Sequence, residues 1–255
     1  MSRLALPTVT LCAAASVNVL ATVEALLECI RQIEFSAGLL FTDSDLPEPH
    51  PELRVVRIGR LKSAADYSDF VLRRIGDHID TPHCLVVQWD GFVLDARRWS
   101  RDFLNFDYVG APWPQFGDQW SVGNGGFSLR SRRLLKACQD PSFAAGHPED
   151  VAICRSNRIF LEKEHGIRFA TPDVAARFSI ERTSPPAPTF GFHGIFNMIP
   201  LLSPEHFWET YLSLDDRSTA FVDYRLLMRQ LGQSNHAMSR RAHLTLDRLI
   251  HLFKR

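Results

Sequence analysis

The sequence predicts an α/β fold in which a mixed, mostly parallel sheet is flanked by helices and followed by a helical C-terminal extension. Three observations carry this. Short apolar runs of strand length alternate with stretches whose apolar residues recur every three or four positions. The chain has 255 residues, 45% hydrophobic and 23% charged, enough to bury a full α/β core. The tripeptides Asp43-Ser44-Asp45 and Gln88-Trp89-Asp90 stand directly after apolar runs, at the edge where open parallel sheets bind ligands.

Taken in order, residues 9–14 read as a buried first strand. The segment 4–15 follows Arg3 and ends in small residues, as a signal peptide would, but Pro7, Thr8 and Thr10 interrupt its apolar core and favour the strand. Val19, Val23, Leu26, Leu27 and Ile30 share one face of a helix over 18–33. Strands follow at 38–42 and, after the proline-rich turn 47–51, at 53–58. Phe70, Val71, Ile75 and Ile79 predict a helix over 64–79 that leads into a strand at 83–87. Past residue 100 come a short strand at 108–109, a glycine-rich segment at 122–129, a helix at 132–138 and a surface linker at 183–188. The α/β domain is placed at 1–200 and the helical extension at 201–255.

Bulk properties narrow the function. Lys plus Arg number 29 against 29 Asp plus Glu, so no excess of positive charge argues for nucleic acid as a partner. The five cysteines form no CxxC and sit mostly in apolar runs, which suits reduced thiols packed as small hydrophobes in a cytoplasmic protein. No stretch reaches the ~20 apolar residues that a membrane span requires.

Four constellations carry chemistry. Asp90 follows the most apolar run and precedes Gly91, a perch for a hard cation such as Mn²⁺ or Mg²⁺ whose shell phosphate oxygens could complete; the plainer reading is an aspartate capping a turn. Asn124, Gly125 and Gly126 allow close backbone approach to a ligand, or make a tight turn before a helix. Glu149 and Asp150 stand at a helix start, where they either cap it or offer a base to an attacking hydroxyl. His193, between Phe192 and Gly194, is either structural or a second metal ligand beside Asp90.

The order Gln88-Trp89-Asp90, Gly123 to Arg130, Glu149-Asp150, Phe192-His193 resembles that of inverting GT-A-fold (Rossmann-like) glycosyltransferases. Over roughly residues 8–200 the chain resembles an uncharacterised family of bacterial glycosyltransferase-like proteins with WDG, GNGGFSLR, PEDV and FGFHG motifs. More distantly it is similar to the beta-1,3-galactosyltransferase and fringe group. The resemblance implies that Asp90 matches the last aspartate of the metal-binding DxD motif and His193 the late metal-ligating histidine. By the same resemblance Asn124, Gly125 and Gly126 line the donor-sugar pocket, Asp150 is the catalytic base, and Glu149 contacts acceptor or donor. Gln88 replaces the first DxD aspartate with an amide that can bond a ribose hydroxyl or a metal-bound water. Trp89 belongs to the same donor-binding segment and reads chiefly as packing. Lys62, Asp66 and Tyr67 occupy the region that holds the nucleotide in such folds.

The implied activity is transfer of a sugar from a nucleotide-sugar donor, a UDP-sugar by resemblance, to a glycan or lipid-linked acceptor in cell-surface polysaccharide or lipopolysaccharide synthesis. A metal-dependent nucleotidyltransferase or phosphodiesterase using Asp90, and a non-catalytic nucleotide-sugar-binding protein, are the competing classes. Near the C-terminus, Leu246, Leu249, Ile250 and Phe253 form an apolar stripe flanked by Arg240, Arg241, Arg248, Lys254 and Arg255. Such a helix fits peripheral contact with an anionic inner membrane, docking on its own domain, or a dimer partner.

Overall fold

The computed structural model describes residues 2–46, 50–183 and 187–253. Parts of the proline-rich turn (47–49) and of the linker (184–186), together with Lys254 and Arg255, lie outside the described residues. The chain divides into two compact units, Met1–His193 and Gly194–Arg255.

The first unit opens with β1 (Leu4–Ala14), α1 (Val19–Gln32), β2 (Ile33–Thr42), β3 (Leu53–Arg57), α2 (Ala64–Arg73) and β4 (His83–Val87). It continues through β5 (Tyr108–Val109), β6 (Ala111–Pro112), β7 (Val122–Gly123), β8 (Phe127–Ser131), α3 (Arg132–Ala137) and α4 (Glu149–Val151). A π-helical turn over Ala152–Ser156 leads to α5 (Arg158–His165), α6 (Pro172–Phe178), β9 (Ser179–Ile180) and β10 (Gly191–Phe192).

The central sheet has the order β3-β2-β1-β4-β8-β5. β1, β2, β3 and β4 run parallel, while β8 is antiparallel to both β4 and β5. Every residue of β4 is buried, as expected of a central strand covered on both faces. On one face Cys12, Leu39, Phe41, Cys84 and Val86 meet Phe70, Val71 and Ile75 from the α2 region and Leu135 from α3.

β2 begins at Ile33 rather than 38 and β3 ends at Arg57 rather than 58; two further boundaries differ from the sequence reading for physical reasons. β1 starts at Leu4 because its pairing with β2 shifts register between Leu6 and Thr10, and Pro7 sits in that irregularity, where no ladder N–H is required. The helix expected over 64–79 stops at Arg73, and Ile75–His78 forms a 3₁₀ turn. Gly76 is a poor helix former, and a Cβ there would stand 3.1 Å from Leu135 Cβ, so the chain passes α3 closely at this point.

The second unit contains α7 (Ile195–Leu201), α8 (Pro204–Ser213), α9 (Tyr224–Leu231) and α10 (Ala237–Phe253), so helical structure begins ahead of residue 201. Asp247 anchors it, accepting from Tyr211 Oη and Arg217 Nη1, both at 2.7 Å. Arg240, expected as an exposed flank, is buried and paired with Glu205 at 3.3 Å. No helix among the described residues is long and apolar enough to cross a membrane. All five cysteines are buried and free.

Asp107 ties the β5 edge to its surroundings: it accepts from Ser131 Oγ at 2.6 Å, from the Arg133 guanidinium and from the Arg168 backbone N–H at 2.8 Å. Burial opposes its charge, but the hydrogen bonds of Arg133, Ser131 and Arg168 outweigh it and hold the carboxyl below its ordinary value. A folded pKa depressed in this way contributes stability above the unfolded carboxyl's value, and the contribution fades as pH falls through the folded one. Asp107→Ala is expected to cost about 2 kcal/mol in urea unfolding at pH 7, with the gap to wild type closing in strong acid.

Candidate functional site

The strand after β1 adds on one side of it and β4 lies on the other, so the carboxyl ends of β1 and β4 border the crevice where wound sheets bind ligands. Gln88 to Gly91 forms a tight turn just beyond β4, closed by the Gly91 N–H donating to Gln88 O at 3.0 Å. Because β8 is antiparallel to β4, its start lies at the same edge. The Gln88 N–H donates to Gly126 O at 2.9 Å, joining the two segments.

Asn124 takes a left-handed conformation (φ 78°), which asparagine tolerates better than most residues. Its Oδ1 accepts from the Gly126 N–H at 3.0 Å, and its carbonyl accepts from Tyr108 Oη at 2.9 Å. The glycines that follow leave room for two facing side chains. A methyl at Gly125 would overlap Glu149 Oε1, and one at Gly126 would overlap His193 Nε2. A tight turn alone does not explain this pair.

Glu149 is buried and does more than cap α4. The wholly buried Arg130 donates through Nη2 to Glu149 Oε1 at 3.1 Å and to Gly125 O at 3.3 Å, and through Nε to Ser128 Oγ at 3.0 Å. Asp150 Oδ2 accepts from the Gly125 N–H at 3.0 Å, and its Oδ1 accepts from the Val151 N–H at 2.8 Å. Burial, then the charge of Glu149, lifts the Asp150 carboxyl to about 6, against the pull of those two N–H groups. A carboxylate with that pKa is poised to take a proton near neutral pH.

Across the glycines, His193 Nε2 lies 3.3 Å from Asp90 Oδ1, and His193 Nδ1 lies 3.3 Å from Glu181 Oε1. Burial disfavours a charged imidazole, but Asp90 and Glu181 outweigh it and raise His193 to about 10. Two donors bound to one octahedral ion at about 2.1 Å stand about 3 Å apart when adjacent, so Asp90 Oδ1 and His193 Nε2 would serve as neighbouring ligands to Mn²⁺ or Mg²⁺ with the ion displacing the Nε2 proton. No group of three or more His, Cys, Asp or Glu side chains with metal-binding geometry occurs among the described residues. Any hard ion held here would draw its remaining ligands from elsewhere.

The residues that the sequence assigns to the nucleotide separate. Tyr67 turns inward: burial, then Glu149, raises its phenol, and the Gln88 amide lies close without a hydrogen bond of regular geometry. Lys62 and Asp66 remain exposed at the start of α2, where the Asp66 carboxylate accepts from the Lys62 N–H at 2.8 Å. Trp89 is half-buried in the turn. Tyr67 Oη, Asn124 Nδ2 and Arg130 Nη1 are buried donors without a hydrogen-bond partner among the described residues. Sequence reasoning missed Arg130 as the partner of Glu149, although a charge alternating with Phe127 and Leu129 in a strand was a usable signal. It also missed Glu181, whose only mark is its place after the run 178–180. A cavity of about 440 Å³ lies at the opposite, amino-terminal edge of the sheet, bordered by Thr10, Phe35, Glu52 and Asp80, and takes no part in this cluster.

Residues 52–193 match the model of a family described as "Protein of unknown function (DUF5672)". The chain belongs to that family. The matched segment contains every candidate residue from Lys62 to His193. No curated protein matches the chain. Among solved structures it is similar to a glycosyltransferase involved in the glycosylation of the major capsid of PBCV-1, with a TM-score of 0.47 and 12% identity over 81% of this chain and 100% of that one. It is also similar to an apo-form glycosyltransferase of Streptococcus pneumoniae TIGR4, with a TM-score of 0.43 and 12% identity over 88% of this chain and 63% of that one. At that level neither likeness bears on substrate or chemistry.

The buried Arg130–Glu149 pair gives this member of the family a measurable signature. Removing one partner leaves an uncompensated buried charge. Arg130→Met is expected to lose about 3–5 kcal/mol in urea unfolding, and Arg130→Met with Glu149→Leu to recover a substantial part of it.

Proposed function

We propose that this protein is a glycosyltransferase that moves a sugar, with inversion, from a nucleotide-sugar donor of UDP-sugar type to a hydroxyl of a glycan or lipid-linked acceptor. The observation that carries the reading is the adjacency of two unlike polar pairs across two consecutive glycines. His193 presses on Gly126 and faces Asp90; Glu149 presses on Gly125, whose N–H holds Asp150. A donor diphosphate needs the first pair, and an acceptor hydroxyl needs the second.

Held by Asp90 and His193, Mn²⁺ or Mg²⁺ would draw charge from the departing diphosphate. Asp150 takes the acceptor hydroxyl's proton as the new C–O bond forms and the bond to the diphosphate breaks, the bonding pair leaving with the diphosphate. The Gly125 N–H keeps the carboxylate aimed during that transfer. Glu149, fixed by Arg130, accepts from a sugar hydroxyl. Gln88 serves a ribose hydroxyl, Trp89 walls the donor, and the exposed Lys62 and Asp66 flank the nucleotide, with Tyr67 turned inward beside Gln88.

Products decide between the classes. Release of intact nucleoside diphosphate with sugar transfer supports the proposal; pyrophosphate or monophosphate release points to a nucleotidyltransferase or phosphodiesterase; metal-independent binding without turnover points to a binding protein. Asp150→Asn is expected to lower turnover about 10²–10⁴-fold while donor affinity, measured by calorimetry, stays unchanged. The base must be ionised to act, so kcat/KM should climb with pH up to about 6 and level off above it.

The reading extends to cell-surface polysaccharide or lipopolysaccharide synthesis at the cytoplasmic face of the inner membrane. Leu246, Leu249, Ile250 and Phe253 on α10 are exposed, and Arg248 stacks over Tyr224 nearby. Co-sedimentation with anionic vesicles, absent with neutral ones and reduced several-fold in Leu249→Asp, is the expected result; equal recovery of wild type and variant argues against membrane docking.

A further inference from the structure

We infer that Glu181 is a positioning residue for the metal pair: its carboxylate holds His193 through Nδ1 so that Nε2 is presented beside Asp90. The inference rests on the metal role proposed for Asp90 and His193. Its basis is register. β9 and β10 are parallel, Ile180 is opposite Phe192, and the His193 N–H donates to Ile180 O at 2.9 Å. Continuing that register by one residue sets Glu181 beside His193, and the carboxylate meets Nδ1 at 3.3 Å.

The geometry separates this role from that of a third ligand. An ion on Nε2 lies on the far side of the ring from Nδ1, so a carboxylate on Nδ1 orients the ring without reaching the ion. Backbone boxes in the opposite edge: a methyl at Gly91 would come within 3.1 Å of His193 Cδ2, and one at Gly126 would overlap Nε2. Glycine backbone thus limits where the ring can lie, and Glu181 selects which nitrogen faces Asp90. A carboxylate accepting from the distal N–H of a ligating imidazole fixes its tautomer and strengthens it as a ligand, and losing such a partner typically weakens metal binding about 10–100-fold.

The test measures Mn²⁺ binding to the full-length protein by calorimetry and electron paramagnetic resonance, without nucleotide. Glu181→Ala should weaken binding about 10–100-fold and change or abolish the spin-echo modulation from the His193 nitrogen, with the melting temperature close to wild type. Glu181→Gln, which keeps shape and an acceptor, should lose less and serves if the alanine variant folds poorly. Affinity within twofold of wild type in both variants, with the nitrogen signature intact, overturns the role of Glu181 alone. Absence of Mn²⁺ uptake by wild type, or undiminished uptake by His193→Ala, instead overturns the metal reading beneath it.

Discussion

The close approach of two backbone positions to three ionisable side chains governs the site. Gly125 and Gly126 carry no side chain, so Glu149 and His193 can lie directly against the main chain, and the Gly125 N–H can reach Asp150. Arg130, under the same loop, offsets the charge that this crowding would otherwise leave uncompensated. The guanidinium that neutralises Glu149 also bonds the Gly125 carbonyl.

One reversal of strand direction makes this possible. A parallel β8 would begin at the amino-terminal edge of the sheet, far from the Gln88–Gly91 turn. Running antiparallel, it starts where β4 ends, and the Gln88–Gly126 hydrogen bond locks the two segments together. The short β9–β10 pair then delivers His193 and Glu181 to the same edge from late in the chain. Residues as far apart in sequence as Asp90 and His193 therefore share one small volume.

Much of the fold was legible because burial writes a period into the sequence. The runs at 38–42, 83–87 and 108–109 and all but the last residue of 53–58 lie in strands, and Val19 to Ile30 lies on one helix. What was illegible depended on partners. Pro7 hides the start of β1 because a register irregularity excuses its missing N–H, and Gly76 lies in the 3₁₀ turn after α2, close against Leu135. At the site, the residues singled out at 90, 125, 126, 149, 150 and 193 do meet in space, whereas Lys62 and Asp66 stay at a helix start bonded to each other. Arg130 and Glu181 escaped notice because a positioning role is defined only by what stands across from it.

The glycine pair also constrains how such a chain can drift. A side chain at position 125 or 126 cannot be gained gradually, since the first carbon already occupies the place of Glu149 Oε1 or of His193 Nε2. Substitution there must arrive together with loss or relocation of the facing residue. Positions 125 and 149, and 126 and 193, are thus coupled across long stretches of sequence, and among family members a departure at one should be accompanied by a departure at the other.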